Sequence, residues 1–413
     1  MRTRQETQVR SNTVRTEGVR RGAIPRGIAT KGPALLSYGF RPFFLGAGLF
    51  AIFAMVAWIG ALTQGWEVGG RSYGAILWHG HEMLFGYATA ALAGFMLTAI
   101  PNWTGRLPVS GMPLLGLVLL WLTGRIAMLQ PDMIGLYPAV VVDAAFLPAL
   151  ACIAGREIIA GRNWKNLKIL IALGLLTGSN LAFHLQVLSG GDTAPVLRAA
   201  IAALVVLIGL VGGRIIPSFT RNWLVKNGAA ALPRPHGRLD VAAMAALIVA
   251  LAVWVLVPDS PLVVASGTPA TVLLVIRLAS WRGYAVFEEP LLVALHVAYA
   301  FLPIGLLGVV LAAMGWLSQP SALHIFTVGA IGSMTLAVMT RATLGHTGRK
   351  LAASGWTSAS YLALLIAAVV RPFAELLPQH YHELLGVSGV CWIAAFGLFS
   401  IEYGRLLVAP KRA

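Results

Sequence analysis

Charge is scarce in this chain: Asp, Glu, Lys and Arg make up 11% of its 413 residues, against 58% that are hydrophobic. Soluble globular domains carry about 25% charged residues, so a water-soluble fold is excluded and a polytopic membrane protein is indicated. Cysteine is nearly absent, with Cys152 and Cys391 alone. That rules out a disulfide framework and a Cys-x-x-Cys-His haem attachment, and it leaves two structural thiols. The chain also lacks a Gly-x-x-x-x-Gly-Lys-Ser/Thr phosphate loop, a dinucleotide fingerprint and a His-Glu-x-x-His zinc-protease motif. These absences argue against an ATP-driven pump and a covalently attached cytochrome, and no hydrolase signature is present.

What the chain has instead is apolar runs. A helix needs about 20 apolar residues to cross a bilayer core of about 30 Å. Such runs occur over 43-61, 79-101, 112-129, 133-154, 167-188, 195-217, 239-257, 261-281, 290-315, 321-340, 357-377 and 383-404. The fold class is therefore all-α, with about twelve transmembrane helices. The fourth run is interrupted by Asp143 and Pro148 and the eighth by Gly267 and Pro269, which neighbouring helices can accommodate.

Lys and Arg total 31 against 15 acidic residues, a formal net charge of +16. Once the spans alternate, these charges gather on one side: in the N-terminal segment, around the joints after the fourth and sixth spans, and after the tenth. By the positive-inside rule both termini are expected in the cytoplasm. Topology then accounts for the charge without nucleic acid, and attraction to membrane lipid headgroups follows as a by-product. Residues 1-33 are basic and have no apolar core of the signal-peptide kind, so they read as a flexible cytoplasmic tail. A membrane domain is expected over 34-405 and a short basic tail over 406-413.

Three spans close on related wording: Ile100-Pro101-Asn102-Trp103-Thr104, Ile216-Pro217-Ser218-Phe219-Thr220 and, more loosely, Met339-Thr340-Arg341-Ala342-Thr343. Each is separated from the next by four spans. Three parallel four-helix repeats would produce this pattern, and so would Pro-Thr helix ends arising by chance in an apolar sequence.

Alternation of the spans also sorts the histidines. Six of the nine fall on the side opposite the basic loops: His79, His81, His184, His324, His380 and His382. His296 lies deeper, and His236 and His346 belong to the basic side. Neutral imidazole suits iron, copper and zinc, whereas a lone His on an apolar helix is commonly a hydrogen-bonded interior residue. His79 and His81 sit at i and i+2 and point to opposite sides of a regular helix, so either they serve two partners or that turn is not helical. Arg71, Arg125, Arg198 and Arg371 break the charge rule on the same side, where guanidinium forks suit carboxylate ligands. Arg371 has a simpler reading as an ion pair with Glu375 one turn on. Asp143 is a mid-span carboxylate, either functional or a hydrogen-bonded helix contact. Glu82 is a metal ligand, an acceptor for an imidazole N–H, or a helix N-terminal carboxylate.

Tyr38-Gly39-Phe40-Arg41-Pro42-Phe43-Phe44, Trp78-His79-Gly80-His81-Glu82-Met83, and the run from Leu323-His324 through Gly332-Ser333-Met334-Thr335 to Gly345-His346-Thr347-Gly348-Arg349 resemble the NnrS family over about residues 34 to 405. The resemblance implies a bacterial inner-membrane protein with twelve helices that binds haem and copper and responds to nitric oxide and nitrosative stress. It leaves the reaction, and whether there is one, open. Topology then selects His79, His81, His184, His296 and His324 as metal ligands, and Arg125, Arg198 and Arg371 as partners for haem carboxylates. Nitric oxide or a related small ligand is the expected partner, with the electron donor unassigned. His346 and Arg349, on the basic side, either form a second site or dock a loop, the latter being the reading that the turn-forming Gly345 and Gly348 beside them favour. The competing reading is a secondary transporter of a small solute or metal complex, for which twelve spans, repeats and Asp143 also suit. A sensor would need a sizeable cytoplasmic module, which the sequence does not contain.

Overall fold

A computed structural model describes residues 32–410. It contains twelve helices long and apolar enough to cross a membrane: α1 (Phe40–Gln64), α2 (Gly70–Thr104), α3 (Met112–Leu129), α4 (Leu136–Ala160), α5 (Trp164–Ser189), α6 (Ala194–Lys226), α7 (Arg238–Leu256), α8 (Pro261–Ala285), α9 (Pro290–Ala313), α10 (Gln319–His346), α11 (Gly355–Phe373) and α12 (Pro378–Val408). Among the described residues there is no β-strand. The architecture is an all-α polytopic membrane fold, and each apolar run of the sequence corresponds to one helix. Most of the N-terminal tail lies outside the described residues, as do the last three residues of the C-terminal one; residues 406–408 belong to α12.

Several helices extend beyond their apolar runs because hydropathy marks the lipid-crossing part and not the polar turns that flank it. α2 begins at Gly70, ahead of His79, with a break at Gly74 (φ 60°) that glycine tolerates. α6 continues past Pro217 to Lys226, so the Ile-Pro-Ser-Phe-Thr sequence lies within a helix and does not end it. In α4 a single turn at Ala145 separates Leu136–Ala144 from Phe146–Ala160. Pro148 has no N–H for the Ala144 carbonyl, which weakens the helix beside Asp143. α8 tolerates Gly267 for a packing reason: a Cβ there would come within 2.6 Å of Val310 Cγ2 on α9.

Two helices carry a π-helical segment, in which each N–H bonds five residues back and the side chains shift phase. In α2 it is Glu82–Ala88, immediately after His81. In α10 it is Ile325–Gly332, immediately after His324. α6 is α-helical throughout. The α2 segment is secured by Trp121, whose indole donates to the Gly86 carbonyl at 3.0 Å.

α2, α9 and α10 are the most enclosed helices. The peripheral ones present large apolar side chains outward, among them Leu175, Val249 and Ile401, as a lipid-facing surface requires. At the basic end, Arg41 is 3% exposed and donates to the carbonyls of Leu406, Leu407 and Ala409 at 3.3, 2.8 and 2.6 Å. These are orphan acceptors at the end of α12, so the arginine of the Phe-Arg-Pro motif joins the first helix to the last. His346 packs at 5.6 Å between ring centroids against both Tyr38 and Phe40. Gly348, at φ 75°, closes α10 while Arg349 N–H bonds the Leu344 carbonyl. Two of the sequence blocks thus meet as helix-end docking.

Candidate functional site

The histidines of the opposite end divide between two places. His79 and His81 alternate across α2, and α2 has a cavity on one side and an enclosed polar cluster on the other.

The cavity, of about 370 Å³, is framed by α1, α2, α6, α7, α10, α11 and α12, a volume in the range of small-molecule sites. Its walls are apolar except for His79, His324, Arg198, Arg371 and a few neutral polar groups. His79 stacks on Trp58 with ring centroids 4.5 Å apart. Its buried Nδ1 has no hydrogen-bond partner. The Nδ1–H of His324 donates to the Pro320 carbonyl at 2.7 Å. That bond fixes the tautomer and leaves Nε2 with a free lone pair, the usual preparation of a ligating imidazole. Arg198 donates to the Val255 carbonyl at 3.3 Å while its buried Nε is unpartnered. Arg371 pairs with Glu375 at 3.0 Å, the i,i+4 ion pair read from the sequence. An unpartnered imidazole nitrogen and an unpartnered guanidinium nitrogen in one apolar cavity fit a flat apolar ligand that carries a metal and carboxylates.

The cluster lies between α2, α3, α4 and α5. His81 and Glu82 are 0% exposed, His184 is 0% and Asp143 is 1%. His81 Nδ1 is 2.8 Å from Glu82 Oε1, and its Nε2 is 3.0 Å from Asn180 Oδ1 and 3.2 Å from Asp143 Oδ2. His184 Nε2 is 2.9 Å from Asp143 Oδ2, and its Nδ1 is 2.6 Å from the Tyr73 hydroxyl. Arg125 donates to both Glu82 oxygens at 2.7 and 2.8 Å and also pairs with Asp143. Asn180 Nδ2 donates to Asp143 Oδ2 at 2.9 Å. Two buried carboxylates are thus held against one guanidinium and two imidazoles, the pairing without which buried charge is prohibitive. One ligand atom each from His81, Asp143 and His184 lies within 4.8 Å of the others. This donor set of two imidazoles and a carboxylate suits a first-row transition metal.

The expected site residues are therefore distributed, not gathered at one point. His79 and His324, with Arg198 and Arg371, line the cavity; His81 and His184, with Arg125, belong to the cluster. His296 joins neither. Its Nδ1 donates to the Leu292 carbonyl at 2.9 Å and its ring lies against Thr220 and Gly283, as an interior histidine would. His380 pairs with Glu383 on the surface. Asp143 is hydrogen-bonded to Asn180 and His184 and ion-paired with Arg125, and Glu82 accepts from an imidazole and from Arg125. Tyr73, Asn180 and Trp58 were not selected from the sequence. Asn180 and His184 stand one helical turn apart on the same face of α5, a spacing that could have revealed the pair. Tyr73 and Trp58 carry no comparable signal.

A family model described as NnrS protein matches residues 34–411. No curated protein matches the chain.

Proposed function

The chain belongs to the NnrS family, haem- and copper-associated membrane proteins linked to nitrosative stress, and on that premise we propose that the cavity is its haem site and the enclosed cluster its copper site. The observation that carries the reading is the pair of imidazoles with unpartnered nitrogens, His79 and His324, on the walls of one apolar cavity that also holds Arg198 and Arg371.

Haem, when bound, supplies an iron centre able to take up nitric oxide, with axial ligation and pocket polarity setting its behaviour. His79 and His324 offer ring nitrogens to it. Trp58 holds the His79 ring by stacking, and the Pro320 carbonyl holds His324 in the tautomer that presents Nε2. Arg198 and Arg371 offer N–H groups to the carboxylates, and the apolar walls exclude water. In the cluster, a copper ion would be held by His81, His184 and Asp143. Glu82, Arg125, Asn180 and Tyr73 would orient those donors, in the way outer partners of metal ligands do. The His81 and His184 Nε2 atoms, which now face Asp143 Oδ2, would give up their protons on holding the ion. The distribution of Lys and Arg supports cytoplasmic termini in the bacterial inner membrane, with the cavity on the outer side. In this reading the chain lessens nitric oxide damage by capturing the gas.

Iron and copper measured on the same purified samples test the assignment. His79→Ala and His324→Ala lose haem iron and keep copper; His81→Ala and His184→Ala lose copper and keep haem. Loss of both metals from either set in normally folded protein, or of neither, overturns it. The competing reading, a transporter, would use Asp143, which is engaged by Arg125, Asn180 and His184. Counterflow uptake in proteoliposomes discriminates between the two.

A further inference from the structure

Beneath the haem cavity lies a second, smaller one of about 80 Å³, lined mainly by α2, α6 and α10. The two share Ile331 in their walls. Between them stands one hydrogen bond: the Tyr87 hydroxyl, from the upper wall, meets the Thr335 hydroxyl, from the lower. The junction coincides with the end of both π-helical segments, Glu82–Ala88 and Ile325–Gly332, where the shifted helical phase alters how α2 and α10 pack.

The lining of the lower cavity is almost wholly apolar, with Ala88, Leu207, Val211, Met334 and Val338 typical of it. Its single hydroxyl, that of Thr335, is already spent: it donates to the Ile331 and Gly332 carbonyls, both at 2.8 Å, as well as meeting Tyr87. A buried water needs about two to four polar partners, and apolar cavities of about 150 Å³ stay dry and take up xenon or benzene. A dry site of about 80 Å³ is too small for a drug-like ligand and has no group to hold an ion. It suits a small uncharged gas molecule that dissolves in lipid.

We propose that this lower cavity is a docking site for a diatomic gas on its way from the bilayer to the upper cavity, with the Tyr87–Thr335 pair as the partition between them. The direction of travel rests on the haem assignment above; the docking site itself does not. Tyr87 is held from moving freely by Trp392 and Phe396, whose rings meet it edge-on at 5.4 and 5.2 Å. Passage therefore runs beside Ile331, the residue common to both walls.

Xenon is the probe, because it reports the cavity without needing any metal. With the detergent-purified full chain, the 129Xe chemical shift should change saturably with xenon pressure. Val211→Trp, which fills the lower cavity from α6, should remove one saturable component and leave the one that belongs to the larger upper cavity. Val338→Phe fills it from α10 and serves if the first variant does not fold. A saturable shift in the unaltered protein that neither filled variant diminishes, or no saturable shift at all, overturns the docking site. In haem-loaded protein, rapid mixing with nitric oxide should give several-fold slower binding in the filled variant at unchanged Soret intensity. Unchanged binding rates would overturn the route. Failure to take up haem would instead appear as a missing Soret band, with the xenon result standing on its own.

Discussion

Replacing Arg125 with Met removes the guanidinium that two enclosed carboxylates share. Glu82 is 0% exposed and Asp143 1%, and Arg125 reaches the first with two bonds of 2.7 and 2.8 Å while pairing with the second. Met keeps the apolar stem, so packing changes little. The cation–π contact with Phe50, at 5.9 Å from the ring centroid, accounts for about 2 kcal/mol at a desolvated site. Uncompensated buried charge dominates: breaking such a pair from one side costs about 3–5 kcal/mol. At about 1.4 kcal/mol per tenfold, the folding equilibrium constant drops by two to more than three orders of magnitude. Equilibrium unfolding of the detergent-purified protein, followed by far-UV circular dichroism, measures this. The triple variant Arg125→Met, Glu82→Gln, Asp143→Asn should regain most of the loss, because the amides carry no charge to compensate. A single variant that loses less than about 1 kcal/mol, the scale of exposed pairs, would refute the reasoning. So would a triple variant as unstable as the single one.

Arg41→Leu strips three carbonyls at the end of α12 of their donor. Hydrogen bonds to charged groups are worth about 1.5–3 kcal/mol, so at least that much stability should disappear in thermal unfolding while haem content per folded protein stays unchanged. Gly86→Ala places a Cβ 2.7 Å from both Arg125 NH1 and Phe50 Cε1. Overpacking of this kind costs about 1–3 kcal/mol, and the copper content should fall with it because Arg125 orients Glu82 beside His81. His296→Ala, in contrast, should leave iron and copper stoichiometry at wild-type values, as read by elemental analysis.

The twelve spans were legible because lipid crossing imposes length and apolarity on each helix separately. So was the separation of His79 from His81, which follows from helical geometry alone. The ion pair of Arg371 with Glu375 was legible for the same reason, being local to one turn. The cluster was not, since Arg125, Glu82, Asp143 and His184 come from four helices whose adjacency is set by packing. Grouping His184 with His324 by side was therefore silent as to neighbourhood, since one lies in the cluster and the other on the cavity wall. His296 illustrates the same limit in reverse: its carbonyl partner, Leu292, sits one turn away and satisfies it, so nothing draws it toward the cavity. The π-helical segments left no trace in sequence, because an apolar run such as Ile325–Gly332 reads as ordinary helix whichever carbonyl its amides choose. His346 packs against Tyr38 and Phe40, a contact between distant sequence blocks that spacing alone did not reveal.

The absorption spectrum of the purified protein, with iron quantified on the same sample, bears most directly on the haem cavity. Wild-type protein should show near-stoichiometric iron and a Soret band that moves when nitric oxide is added, and the doubly substituted His79→Ala, His324→Ala protein should be colourless at unchanged helical content. A double variant with a full Soret band, or a wild-type protein that stays colourless after haem supplementation, would contradict the assignment.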